Sequence, residues 1–309
     1  MAEKIATREA YGNALAELGE KYDFVVLDAD LAAATKTGVF KKKFPERFFD
    51  CGIAEGNMMS VAAGLATTGV VPFASTFAMF AAGRAFEQVR NAIGYPHLNV
   101  KIGATHAGLS VGEDGATHQC LEDLALMREL PGMTVLSPAD GPEAGRAIRA
   151  ALEIDGPVYV RMGRSAVDVI TEDNAEFTIG KGVVMADGKD AVMFATGLMV
   201  GESLRAREIL AERGIDLAVV NIHTIKPIDE ELIVAYAQKT GRVFTAEDHF
   251  ITGGLGSAVA EVLCEKCPTP MTRIGVKDTF GRSGTFEDLI VAYGMDAESV
   301  ADTIEKNIR

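Results

Sequence analysis

Cysteine is scarce, with four in 309 residues. That excludes a disulfide framework as the organising device and makes a reducing cytoplasm the expected compartment. Positive charge is in deficit, 30 Lys and Arg against 44 Asp and Glu, for a net charge of -14. The acidity is spread along the chain rather than gathered in a tail. It argues against a nucleic-acid or anionic-membrane partner, while a local basic pocket could still hold phosphate. No apolar run approaches the ~20 residues of a membrane span. The start, Met1-Ala2-Glu3-Lys4-Ile5, lacks the basic residues and apolar core of a signal peptide. No GxxxxGK[ST] phosphate loop occurs.

What is present is an ordinary globular balance, 48% hydrophobic and 24% charged, long enough for two cores. Short apolar runs alternate with segments of helical period. Arg8 to Leu18 reads as a helix and Phe24 to Leu27 as a buried strand. A helix follows from Glu55, then strands at 70–73 and 98–102 with a helix through Phe86, Val89 and Ile93 between them. His118 is predicted to open a helix holding Leu121, Leu124 and Met127. Strand Met133 to Leu136, helix Pro142 to Leu152 and strand Val158 to Val160 complete this set. Residues 165–188 are polar and weakly periodic, with Thr171 to Asn174 as a linker. Strands then recur at 191–195, 217–221, 243–245 and 272–274, with helices near 201–213, 229–239, 255–266 and 286–293. The pattern predicts an α/β protein of two domains, 1–175 and 176–309, each a mostly parallel sheet flanked by helices. No repeat of fixed period appears. Ligands of such sheets lie beyond the carboxyl ends of the strands, so Asp30, Glu55, His106 and Arg164 could share one rim.

Three local signals are discounted. Gly254-Leu255-Gly256-Ser257-Ala258-Val259 has the shape of a dinucleotide turn, but Val259 stands at the third small position and no acidic residue caps the next strand. Cys264-Glu265-Lys266-Cys267 is a single CxxC, read as structural thiols. The run Lys41-Lys42-Lys43 is read as a solvated face, with a phosphate-attracting rim as the alternative.

The chain turns on Asp50-Cys51-Gly52-Ile53-Ala54-Glu55-Gly56-Asn57-Met58, where Glu55 enters the first turn of an apolar helix. Alone, that glutamate would mean helix-dipole stabilisation. The loop Gly112-Glu113-Asp114-Gly115-Ala116-Thr117-His118-Gln119 is far more specific. With Ala29-Asp30-Leu31, Gly52-Ile53-Ala54-Glu55, Ser75-Thr76-Phe77-x-x-Phe80, His106 and Arg164, it follows the order and spacing of the transketolases. Over essentially its whole length the chain resembles the second half of a transketolase, the pyrimidine-binding domain plus the C-terminal domain. Glu247-Asp248-His249 and Gly253-Gly254-Leu255-Gly256 also resemble segments of related thiamine-diphosphate enzymes.

The resemblance implies thiamine diphosphate as cofactor, with Mg²⁺ holding its diphosphate. It implies that Glu55 hydrogen-bonds the pyrimidine N1′ and so promotes the tautomer that activates the cofactor. Phe80, with Phe77 beside it, would stack the ring, and Ile53 and Asp30 would lie at the cofactor. His118 would face the reacting carbon of a ketose donor. His106, Asp114 and Arg164 would line the sugar-phosphate channel. Two positions depart from the family: its phosphate-binding serine falls at Ala34, with Thr35 adjacent, and its third pocket aromatic falls at Gly83.

The family's Gly-Asp-Gly segment, which with a later Asn grips the metal and diphosphate, occurs nowhere in this sequence. A partner chain, an N-terminal transketolase subunit, is therefore expected to supply that half, in an assembly of two copies of each chain. Ketol transfer between sugar phosphates, such as those of the pentose phosphate series, is the implied reaction. Three alternatives stand beside it: a 1-deoxyxylulose-5-phosphate synthase-like enzyme, the β subunit of a 2-oxoacid dehydrogenase, and a catalytically silent scaffold. The first usually has Arg at the position of His106, and the second lacks the Gly-Glu-Asp-Gly loop.

Overall fold

The computed structural model describes residues 3–308. A seven-stranded sheet carries the first half of the chain. Its spatial order is Thr224–Lys226, Thr134–Leu136, Val158–Arg161, Lys101–Thr105, Pro72–Phe77, Val25–Asp28 and Phe48–Asp50. Every pairing in it is parallel except that of Thr224–Lys226, which runs antiparallel to Thr134–Leu136. A five-stranded sheet follows, in the order Met271–Val276, Val243–Phe250, Ala191–Ala195, Leu217–Asn221 and Val183–Ala186, with the last strand antiparallel. The fold is two α/β domains with mostly parallel sheets flanked by helices. A short antiparallel pair, Lys4–Ala6 with Ala166–Asp168, ties the start of the chain to the end of the first sheet.

The central strands are buried on both faces, as parallel strands between helix layers must be. Two of them differ from the sequence expectation because buried polar residues interrupt their apolar pattern. Pro72–Phe77 extends through Ser75 and Thr76, and Tyr11 stands across it with its hydroxyl 2.6 Å from Ser75 Oγ. Lys101–Thr105 begins on a fully buried lysine, whose ammonium donates to the carbonyls of Ile154 (2.7 Å) and Gly156 (2.8 Å). Residues 165–188, read as polar and weakly periodic, hold the edge strands Ala166–Asp168 and Val183–Ala186.

The two sheets do not have separate interiors. One apolar cluster joins Met58, Ala62, Val89, Ile102 and Tyr159 of the first to Val192, Phe194, Leu255 and Val259 of the second. The parallel strands of the first sheet end on one edge, and the loops leaving that edge carry the residues of interest.

Candidate active site

Glu55 is the first residue of the helix Glu55–Ala66. The loop before it is held by Asp50, whose Oδ1 accepts from the amides of Gly52 (3.0 Å) and Asp30 (3.1 Å). Asp30 and Ile53 therefore hang from one corner. Asp30 is exposed with a left-handed backbone (φ 60°), and Ile53 is 76% exposed. The Glu55 carboxylate, by contrast, is only 1% exposed. Both of its oxygens accept from Arg84 Nη1, at 2.9 Å each.

Arg84 closes a wide π-type turn, Met79–Arg84, that begins just past the strand bearing Phe77. Its guanidinium lies 4.3 Å from the centre of the Phe80 ring. Phe80 stacks on Phe77 (5.7 Å, 14°), and Phe77 stacks on His106 (3.8 Å, 21°). His118 presents its ring edge-on to Phe80 (5.5 Å) and Phe77 (6.3 Å). A flat, partly open aromatic wall thus stands beside one buried carboxylate. At Gly83, where the wall lacks an aromatic, a Cβ would lie 2.3 Å from the terminal methyl of Met79. Met79 fills that space.

His106 follows Lys101–Thr105 with φ 56°, a conformation that costs a non-glycine residue energy and is retained where the surroundings impose it. Its Nδ1 pairs with Thr105 Oγ1 (2.9 Å) and its Nε2 with Arg8 Nη1 (3.5 Å). Burial first, then Arg8, Arg164 and His118, push the imidazole down to about 3. It is a neutral hydrogen-bonding ring at any ordinary pH.

Arg8, which the sequence reading passed over as a helical residue, binds Ala34 O (2.8 Å) through Nη1 and Arg164 O (3.0 Å) through Nε. Burial and the neighbouring Arg164 lower its pKa. Two guanidiniums and an imidazole therefore converge on one rim. Arg164 in turn contacts Val111 O (2.5 Å) and forms an ion pair with Glu113 (2.6 Å). Asp114, at the end of the Leu109–Asp114 turn, is exposed.

Two expectations need correction. Thr35 is fully buried, and its hydroxyl is spent on Asp28 Oδ2 (2.8 Å), Leu31 O (3.1 Å) and Thr37 Oγ1 (3.1 Å). It offers a substrate no surface; the carbonyl of Ala34 meets the site instead, by orienting Arg8. His118 does not open a helix. It lies in a turn whose His118 and Gln119 amides both return to Gly115 O, and the helix starts only at Asp123. The buried Gln119 side chain donates to Leu109 O, Gly112 O and Arg282 O, which fixes the chain there in a non-helical path.

The discounted signals have structural occupants. The amides of Leu255 and Gly256 donate to Glu247 (2.7 and 2.8 Å), so an internal carboxylate already fills the helix N-terminus. Burial raises Glu247 to about 7. All four cysteines are free thiols, and Lys41, Lys42 and Lys43 are exposed. Among the described residues no three of His, Cys, Asp and Glu gather as a metal site, and no helix is long and apolar enough to cross a membrane. The buried carboxylate and stacked rings fit the aminopyrimidine end of a thiamine cofactor. The sequence has no Gly-Asp-Gly segment for the diphosphate end.

Residues 3–169 match the transketolase pyrimidine-binding domain and residues 180–300 the transketolase C-terminal domain. A Methanocaldococcus jannaschii protein, provisionally named a transketolase C-terminal section, is 52% identical over 98% of this chain and 96% of its own length. The 6-deoxy-6-sulfo-D-fructose transketolase subunit SqwH of a Clostridium species is 44% identical over 95% of this chain and 91% of its own. Among solved structures, a split-gene transketolase described as an inactive β4 tetramer superposes with a TM-score of 0.92, at 53% identity and 98% coverage of both chains. With matches in both domains and full-length relatives at this identity, the chain belongs to the transketolase family of transferases.

Proposed function

We propose that this chain is the C-terminal subunit of a two-chain transketolase, moving a two-carbon ketol unit from a ketose phosphate to an aldose phosphate. One observation carries the reading. The buried Glu55 carboxylate and the Phe77–Phe80–His106–His118 ring cluster lie on the same strand-end rim as Arg8 and Arg164. Thiamine diphosphate supplies, when bound, the carbanion-stabilising chemistry that ketol transfer needs. Glu55 would share a proton with the pyrimidine N1′ in one hydrogen bond, using an oxygen lone pair left over from Arg84. Phe80 and Phe77 hold the ring, contributing about 0.5–1.5 kcal/mol beyond area burial. Ile53 and Asp30 border the cofactor.

His118 donates to the donor's oxygen at the reacting carbon, where charge develops. Arg164 and Arg8 take the terminal phosphate through planar guanidinium forks, with neutral His106 beside them. Asp114 reads a sugar hydroxyl. Residues 1–175 thus carry the chemistry and residues 176–309 support it. A partner subunit supplies the diphosphate and Mg²⁺ site, in a heterotetramer working in the cytoplasm. The β-only relative described as inactive supports the need for that partner. A sulfonate presents the same three-oxygen face as a phosphate, so the Clostridium relative makes a sulfo-sugar a second donor to assay.

The test is capture of this chain from its host with whatever binds it stoichiometrically. A partner of similar size bearing Gly-Asp-Gly and a downstream Asn is expected, and the pair should transfer ketol units. Glu55→Ala should then lower turnover by about 10²-fold or more, the size of a proton-transfer contribution. Recovery of the chain alone, or unchanged turnover in Glu55→Ala, would refute the reading.

A further inference from the structure

The loop 106–121 carries His106, Asp114 and His118, yet several of its fixings come from the second half of the chain. Asp248, on the strand Val243–Phe250, is 3% exposed. Its Oδ1 accepts from the Leu109 amide (2.8 Å) and its Oδ2 from the Ser110 amide (3.3 Å). The approach is so close that a Cβ on Gly108, itself at φ 81°, would lie 2.0 Å from Asp248 Oδ2. Two residues on, the Phe250 amide donates to Leu121 O (2.8 Å), at the far end of the loop. Between these points Gln119 Nε2 donates to Arg282 O (2.9 Å).

Asp248 is itself anchored from the first sheet. Its carbonyl accepts from Arg161 Nη2 (2.8 Å), and Arg161 is paired with buried Asp123 (2.9 Å) at the start of the next helix. The loop's own glycines, Gly108, Gly112 and Gly115, all have positive φ and give it little intrinsic rigidity. Two backbone donors to one buried carboxylate therefore fix where the Leu109–Asp114 turn starts, and so where Asp114 and His118 lie.

We propose that Asp248 is a positioning residue for ketol transfer: the C-terminal domain clasps the substrate-facing loop and holds His106, Asp114 and His118 in register with the Glu55 side of the site. The inference deepens the function proposed above and rests on it for its kinetic part. The two sides of the site separate under it. Glu55, Phe77 and Phe80 are on elements that Asp248 does not touch, so loosening the clasp affects the sugar more than the cofactor.

The experiment uses Asp248→Asn, which keeps the shape but can satisfy only one of the two amides, and Asp248→Ala, which satisfies neither. On the full chain alone, hydrogen exchange is followed through residues 106–121 and through the helix Met199–Glu212 as an internal reference. The expected result is exchange at Leu109 and Ser110 about 10-fold faster or more, graded from Asn to Ala, with the reference unchanged. In the complex with the captured partner, the KM for the ketose phosphate should rise or kcat fall, while the thiamine diphosphate concentration giving half-maximal activity stays put. Unchanged exchange in the loop would overturn the proposal. So would equal losses toward sugar and cofactor together with a lowered melting temperature, since that is what general destabilisation does. If the wild-type complex transfers no ketol unit, the proposed reaction fails, and the exchange experiment alone still decides whether Asp248 holds the loop.

Discussion

His106 shows how a single residue can be both a site component and a stability element. Its folded pKa, about 3, lies below the ordinary 6.5 because the ring is buried beside Arg8 and Arg164. An unfolded chain takes up a proton near 6.5 that the folded chain refuses until about 3. The group therefore contributes stability that is complete above 6.5 and is lost as pH falls toward 3. Burial lowers His223 and His249 to about 4 in the same way, so they add to the same acid limb. The His106 ring resonances are expected to stay flat from pH 8 to 5, and His106→Gln should shift the acid-unfolding midpoint downward, as read by circular dichroism. The sequence could bring Glu55, Phe77, Phe80, His106, His118 and Arg164 to notice because each is part of a spaced motif. Arg8 and Arg84 were not legible, since a single arginine in a helical period has no spacing to distinguish it. Thr35 was misleading for a related reason: a hydroxyl next to Ala34 looks available until the buried Asp28 carboxylate that claims it is seen.

At the scale of elements, strands with unbroken apolar runs, such as Ala191–Ala195 and Leu217–Asn221, could be read directly. Those containing buried Ser75 or Lys101 could not, because their polar groups are satisfied by partners distant in sequence. Helix ends follow the same logic. Asp140 caps the helix Gly141–Glu153 by accepting from the Glu143 amide (2.9 Å). It also accepts from the amides of Ile170 (2.8 Å) and Thr171 (2.7 Å) and from the Thr171 hydroxyl (2.8 Å). One carboxylate thus closes a helix and fixes the segment leaving the first sheet. Asp140→Ala removes a cap worth about 1 kcal/mol and strands further donors at about 1–3 kcal/mol each where they are buried. A loss of about 3 kcal/mol is expected, seen as a lower urea midpoint with an unchanged slope.

For the whole molecule, the telling feature is how much the two sheets share. The apolar cluster that runs from Met58 and Ile102 to Phe194 and Leu255 would be opened by any cut between them. A fragment of residues 1–175 is expected to be collapsed but loosely packed, binding a hydrophobic dye and unfolding without a sharp transition. A cooperative melt of that fragment would show that the first sheet needs nothing from the second. Thr224–Lys226 sharpens the point, because this strand pairs with Thr134–Leu136 and finishes the edge of a sheet whose other strands all lie before residue 162. On the ribosome, then, the first sheet waits for its last strand. It stays open along that edge while more than 60 further residues are made, at a pace of about 5–20 residues per second. During those seconds the exposed backbone of Thr134–Leu136 is the part of the nascent chain most in need of shelter.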